Sequence, residues 1–418
     1  MSALKSRLVN FISKFALNAK GMLLVAASSG PLKLPLKYFF WHFGRRVCKL
    51  GMIPEAAVAI FPLAKASPFR RVAPYFENDN PRIIEGMYPE INAYLLEKVI
   101  ISAYSSHIVK DACLLVPKER FKHRNRIPSH GKGLGYYNEL HSICTIRGSK
   151  TIEKAIFVGG DGADNWYHYV IECMSKAYLI RLLPDEFQDY PIIVPDEARC
   201  IESFAEILDA LVPDREVLTV GHSTVNVENL IVLDDVSSGP FNLLAGCWPM
   251  ISDYSHHENI LNSFVHELRK SFSNCCDPQK RSRRIFLVRP DVRRNYNQEE
   301  LLAIAKKYGF SPIAPETLSL KEQAKVFSEA SHIVGASGAA WTNMLFAPHP
   351  FRGLTWIIPT HREFCSYSML AHFLGHDVKY LVALPDDTIR STGDASRASY
   401  TVTPSDFEAA IVRLVSEV

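Results

Sequence analysis

Between Arg283 and Phe346 the apolar positions switch between short unbroken runs and the spacing of an amphipathic helix, which predicts strands and helices in succession. Ile285-Phe286-Leu287-Val288, flanked by Arg283, Arg284 and Arg289, reads as a buried strand. After Pro290 and a basic turn, Leu301, Leu302, Ile304, Ala305 and Tyr308 recur at helical spacing up to Gly309. Asn297, three residues before Glu300, is placed to open that helix as a capping box. A short strand over Phe310 to Ala314 comes next. Ser319 and Glu322 repeat the capping arrangement ahead of Ala324, Val326 and Phe327, and His332 to Ala336 is the next strand. It runs into Ser337-Gly338-Ala339-Ala340 and then Trp341 to Phe346, a helix start. Such a strand, small-residue turn and helix present free backbone N–H groups to an anion. The same small residues would equally let a helix pack closely on a sheet.

The preceding part of the chain alternates in the same way. Lys154 to Val158 reads as a strand, and Gly159 to Asp164 as a loop whose last residue is suited to cap a helix starting near Asn165. On that helix Asn165, His168 and Glu172 share one face, while Trp166, Val170, Met174 and Ala177 point elsewhere. Strands at Ile192 to Pro195, Glu216 to Val220 and Val225 to Leu233, with helices at Ile201 to Leu211 and Tyr254 to Phe272, complete one α/β half. Past Phe346 come a strand at Leu354 to Ile358, a helix from Phe364 ended by Gly375, and a last helix from Thr403 capped by Ser405. Residues 51–150, rich in proline and aromatics, read as short strands and loops. The stretch Ser273 to Pro278 and the basic residues after it mark a boundary, so residues 51–278 and 279–418 are expected as two α/β, Rossmann-like domains facing across a cleft.

At 418 residues, 47% hydrophobic and 22% charged, the chain has room for two domains and excludes disordered and fibrous classes. A net charge of +3 is too mild for a nucleic-acid partner. Nine cysteines without CxxC or histidine-spaced pairing argue against a disulfide framework or a zinc site and fit a reducing cytoplasm. Residues 1–50 differ in kind, because lysines and arginines alternate there with Leu, Phe and Trp and no acidic residue occurs. Their longest apolar run, Gly21 to Ala27, falls far short of the about 20 residues of a bilayer span. Either they form helices packed on the body, or a basic amphipathic segment docks on an anionic membrane through Phe39, Phe40, Trp41 and the lysines. The basic island from Lys118 to Arg126 reads as a solvated loop.

Chemistry concentrates in two places. Neither GxxxxGK[ST] nor GxGxxG occurs around the Gly335 to Asn343 turn, which excludes a P-loop or a dinucleotide fingerprint there. With Arg289 at the neighbouring strand end, the turn still suits a phosphate or diphosphate. His168 and Glu172 are either an i,i+4 pair that satisfies itself at the helix surface, or a base oriented by a carboxylate in a cleft. Asp234-Asp235 lacks DxD spacing and reads as part of a turn, so no metal is expected.

Several blocks together resemble glycosyltransferase family 61. They are Ile285 to Arg289, Arg294-Asn295-Tyr296-Asn297 with Glu299-Glu300-Leu301, Pro315 to Ser319 with Glu322-Gln323, and Val334 to Ala339 with Thr342-Asn343 and Phe346. Upstream, Asn165-Trp166-Tyr167-His168-Tyr169-Val170-Ile171-Glu172 resembles that family's first signature, and the likeness spans roughly residues 150–385. Ser337 stands where members often carry His, and Trp356 where many carry Glu. The resemblance implies a GT-B architecture and an inverting transfer of sugar from a nucleotide-sugar donor to a hydroxyl of an oligo- or polysaccharide acceptor, free or lipid-linked, with no cofactor. It implies a base among His168, Glu172 and Asp161, and acceptor contacts from Asn165 and Trp166. Donor contacts would come from Arg289, Arg294, Asn297, Glu316, Ser337, Gly338, Ala339 and Asn343. A cytoplasmic enzyme of surface (capsular) polysaccharide synthesis, peripheral at the plasma membrane through residues 1–50, is the reading; the rival is a non-catalytic glycan- or nucleotide-binding subunit of a polysaccharide assembly complex.

Overall fold

The computed structural model describes residues 45–76, 79–117, 134–137, 141–146, 148, 150–240, 247–276, 280–289, 295–386, 388–389, 392–395 and 397–416. Residues 1–44, the basic island 118–126 and Arg294 lie outside them.

In the C-terminal half, Ile285, Leu287 and Ile333 pack to one side and Phe286, Val334, Leu354 and Trp356 to the other. That two-residue period, apolar on both faces, is what a parallel sheet covered on both sides requires. The strands Arg283–Leu287, Ser311–Ile313, Ala330–Ala336, Arg352–Ile357 and Asp377–Val382 pair in parallel throughout. Numbered along the chain, they lie side by side as 2-1-3-4-5. Helices Gln298–Lys307 and Pro404–Ser416 cover one face; Leu320–Ser328, Ala339–Phe346 and Ser366–Phe373 cover the other. An open sheet wound in this order reverses direction between its first and third strands, and the crevice at their carboxyl ends is where such sheets bind ligands.

Local signals explain some element ends. The Ser319–Glu322 box forms in both directions, Ser319 N donating to Glu322 Oε2 at 2.9 Å and Glu322 N to Ser319 Oγ at 3.3 Å. The box expected at Asn297 does not form. Its amide donates to Glu300 Oε2 and Val402 O, both at 2.9 Å, and its Oδ1 accepts from Val402 N at 3.1 Å, tying the helix start to the chain ahead of the last helix. Asn165, rather than Asp164, opens the upstream helix, accepting from Tyr167 N at 3.0 Å.

The N-terminal half is built on an 11-stranded mixed sheet. Thr151–Phe157, Ile192–Pro195, Val217–Val220 and Val225–Leu233 are mutually parallel, and Ile91–Ile101 continues the sheet antiparallel to Val225–Leu233. Arg45–Met52 joins the far side between Cys113–Val116 and His141–Thr145, so the last residues of the basic 1–50 stretch belong to the sheet. The halves share one apolar core in which Ile171, Leu261 and Phe264 meet Phe327, Trp341 and Tyr367. Arg269 reinforces the junction, donating to Leu345 O and Ala347 O at 2.6 Å each. Among the described residues no helix is long and apolar enough to cross a membrane.

Candidate active site

The reversal of strand order sets Arg289 beside the Ser337-Gly338 turn. Gln298 clamps the Arg289 backbone from both sides: Arg289 N donates to its Oε1 at 2.6 Å, and its Nε2 donates to Arg289 O at 3.1 Å. Tyr296 steadies Gln298 by donating to the same Oε1 at 2.8 Å. The guanidinium then donates through Nη2 to Ser337 O at 2.7 Å and through Nη1 to Tyr400 Oη at 3.4 Å. A Cβ on Gly338 would lie 2.6 Å from Nη2, so only glycine lets the arginine lie against the turn. The turn leads into the expected helix, Ala339–Phe346, which takes the 3₁₀ form. It buries Trp341, Asn343 and Met344 completely or nearly so, and Trp341 Nε1 donates back to Ala336 O at 3.1 Å, folding the turn onto its strand.

The opposite wall comes from the helix after Asn165. Its first turn, Trp166–His168, is α-helical, Tyr169–Met174 widens to a π-helix, and Ser175–Leu179 returns to α. Such widened turns recur at functional sites. Within it His168 Nδ1 still lies 3.2 Å from Glu172 Oε2, with the histidine side chain 24% exposed and the glutamate 6%. Trp166 Nε1 donates to Asn343 Oδ1 at 2.8 Å, and Asn343 Nδ2 donates to Gln323 Oε1 at 2.8 Å. Trp166 and Asn343 therefore brace the two walls against each other.

Between the walls is a cavity of about 270 Å³. Asn165, Tyr167 and His168 face Ser337, Gly338 and Ala339 across it, and Trp356, His361, Tyr367 and Tyr400 complete its lining. Tyr296 stands behind, stacked on Tyr400 with ring centroids 5.6 Å apart. Burial pushes the Tyr167 hydroxyl up, helped by the Glu172 carboxylate, and burial likewise pushes Tyr296 up, so both stay neutral hydrogen-bonding groups.

The expected site residues thus fall into groups. Asn165, His168, Ser337, Gly338 and Ala339 line the cavity; Glu172 and Arg289 stand directly behind His168 and Gly338. Asp161 is buried, its backbone N donating to Ser106 Oγ at 3.3 Å, and is not part of the lining. Glu316 is exposed in the Pro315–Thr317 turn, and Asn297 is engaged with Val402. Tyr167, Trp356, His361 and Tyr400 were not anticipated in the lining. Trp356 and His361 sit at the carboxyl end of the fourth strand, where extending the crevice rule by one strand would have placed them; nothing local marks Tyr400. Among the described residues no group of three or more His, Cys, Asp or Glu is placed to hold a metal ion.

An imidazole beside a carboxylate on one wall and a guanidinium behind the small-residue turn of the other equip a cavity for displacing an anionic leaving group by a hydroxyl, the chemistry of a glycosyltransferase. Residues 166–353, which include His168, Arg289 and the Ser337-Gly338 turn, match the family model described as Glycosyltransferase 61. The protein carries a glycosyltransferase family 61 domain and is a glycosyltransferase. No curated protein matches the chain at a significant level.

Proposed function

We propose that the protein moves a sugar from a nucleotide-sugar donor to a hydroxyl of a glycan acceptor with inversion at the anomeric carbon, as a step in building a surface polysaccharide at the cytoplasmic side of the membrane. The observation that carries this reading is the shared cavity: His168 faces Ser337 and Gly338 within it, and Arg289 lies against that turn. Residues 279–418 would act as the donor domain and residues 51–278 as the acceptor domain of a GT-B arrangement.

In this reaction the acceptor O–H gives its proton to His168, the oxygen bonds to the anomeric carbon, and the bond from that carbon to the diphosphate breaks with its electron pair leaving on phosphate oxygen. Glu172 Oε2, 3.2 Å from Nδ1, is the carboxylate placed to orient the ring. It also stabilises the imidazolium that forms. Arg289 and the N–H groups opening the Ala339–Phe346 helix balance the charge that grows on the diphosphate, a role a divalent cation plays elsewhere. His361, also in the lining, is the competing imidazole. Trp166 and Asn343 hold the walls at the spacing in-line displacement needs.

The direct test is release of free nucleoside diphosphate from a panel of nucleotide sugars, with and without oligosaccharide acceptors. Release from one donor, accelerated by an acceptor, is the expected result. A panel in which no donor is turned over under any condition would refute the reading.

A further inference from the structure

We propose that a second cavity, of about 250 Å³, on the N-terminal half binds a neutral sugar unit of the acceptor glycan at a distance from the reacting hydroxyl; this rests on the glycosyltransferase reading above. Its floor is Asn92, Asp234, Asp235 and Ser238, and Glu90 stands at its edge. Three carboxyl groups with an amide and a hydroxyl offer a field of hydrogen-bond acceptors, and no Lys or Arg is among the described lining residues. That chemistry takes hydroxyl groups, and the exposed Glu90 carboxylate at the edge, with no cation among the described lining residues, disfavours uronates and phosphates. The rim is apolar, formed by Pro54, Ile60, Pro89 and Pro117, and suits the C–H face of a sugar ring.

The floor is built, not fortuitous. Asp234 Oδ2 accepts from Asn92 N and from Tyr94 Oη, both at 2.9 Å, and Tyr88 Oη donates to Asp235 O at 2.6 Å. Beneath Asp235 the buried Lys176 ammonium lies 3.2 Å from Oδ1 and donates to Gly159 O at 2.9 Å. Lys176 belongs to the same helical stretch as His168, eight residues on, so the floor of one cavity and the wall of the other are joined.

The two cavities also share a strip of chain. Ser238 lines the second cavity and also a small cleft bounded by Tyr167 and Ser366; Gly239 and Pro240 then line the active cavity with the same Tyr167. From Asp235 to Pro240 the backbone spans at most about 18 Å, a reach that a few linked sugars cover. The active cavity thus holds the accepting end of the glycan and the second cavity a unit further along it.

The experiment measures binding of neutral gluco-oligosaccharides and of oligogalacturonates, from monosaccharide to hexasaccharide, by saturation-transfer NMR, in parallel with nucleoside diphosphate release. Ile60→Trp, at a half-exposed rim position, narrows the mouth, and Glu90→Lys sets a cation against the floor without touching a buried group. The expected result is binding that strengthens with chain length for the neutral series only. Both variants should weaken it about tenfold for the long chains, leaving the monosaccharide unaffected. Neutral chains bound equally by wild type and both variants, or not bound at all, would overturn the subsite while leaving the transferase reading intact. Uronates bound as tightly as neutral chains would also overturn it. Failure of every donor to turn over would instead strike the transferase reading, and the difference in binding between wild type and variants would still be read.

Discussion

Gly338→Ala separates the position of Arg289 from its presence. The added Cβ would sit 2.6 Å from Arg289 Nη2, so the guanidinium must withdraw by about 0.8 Å to reach ordinary contact. It is the far end of a flexible side chain, so the fold tolerates the change. The move stretches or breaks the 2.7 Å bond to Ser337 O and carries the charge off the diphosphate seat. A charge-assisted hydrogen bond is worth about 1.5–3 kcal/mol, and misplacing a catalytic group by about 1 Å costs up to 10²-fold, so kcat/KM is expected to fall about 10- to 100-fold. Arg289→Ala removes the charge altogether and is expected to cost about 2–4 kcal/mol, roughly 30- to 1,000-fold. The assay is a double-mutant cycle on kcat/KM for the productive donor. Because both changes act through one guanidinium, the double variant should be no worse than Arg289→Ala. Full activity of Gly338→Ala, or additive losses, would refute the reasoning.

Activity is expected to survive EDTA, since cationic and backbone donors face the leaving group; abolition with rescue by Mn²⁺ would instead make ligands of carboxylates such as Asp161, Asp164 or Asp234. Deleting residues 1–44, which stops short of the Arg45–Met52 strand, should release the protein from anionic vesicles with donor affinity intact, and aggregation of the truncated protein would show that the segment packs on the body. Burial pushes His256 and His376 down to about 3 and Asp234 up to about 7. Between about pH 4.5 and 6.5, unfolding therefore takes up a proton at each histidine and releases one at Asp234, a net loss of about 1.4 kcal/mol of stability per pH unit of acidification. The histidine contribution is present above pH 6.5 and lost on acidification, whereas that of Asp234 is present at low pH and lost as the pH rises through 7. Asp234→Asn removes the opposing group and should steepen the slope in urea melts by about 1.4 kcal/mol per pH unit, and an unchanged slope would refute the assignment.

The strands Arg283–Leu287, Ala330–Ala336 and Arg352–Ile357 were legible because each carries an apolar run buried on both faces, while the Ser319–Glu322 box marks a helix start by itself; Asp377–Val382, at the sheet edge with alternating burial and charged residues in its run, was not legible as a strand. His168 and Glu172 were legible because their spacing alone brings them together. What was missed depends on distant pairing. Asn297 looked like a cap because Glu300 comes three residues later, but its other partner, Val402, is 105 residues away. The bond between Trp166 and Asn343, which the resemblance implies as acceptor and donor contacts, joins residues 177 apart, and local spacing does not report it. Tyr400 reaches Arg289 across 111 residues. The widening of the helix over Tyr169–Met174 and the 3₁₀ form of Ala339–Phe346 have no signature in the spacing of apolar residues. The N-terminal sheet is mixed because Ile91–Ile101 pairs antiparallel to Val225–Leu233 over a separation that periodicity does not report.

The central claim is that His168 takes the acceptor proton in the cavity whose far side holds the donor, and the measurement that bears on it most directly is kcat and donor affinity of His168→Ala, with His361→Ala beside it. Loss of the base should lower kcat by about 10²- to 10⁴-fold while the dissociation constant of the nucleotide sugar, measured calorimetrically, stays as in wild type. His361→Ala should retain most of its kcat. A fully active His168→Ala, or a loss confined to donor binding, would contradict the account.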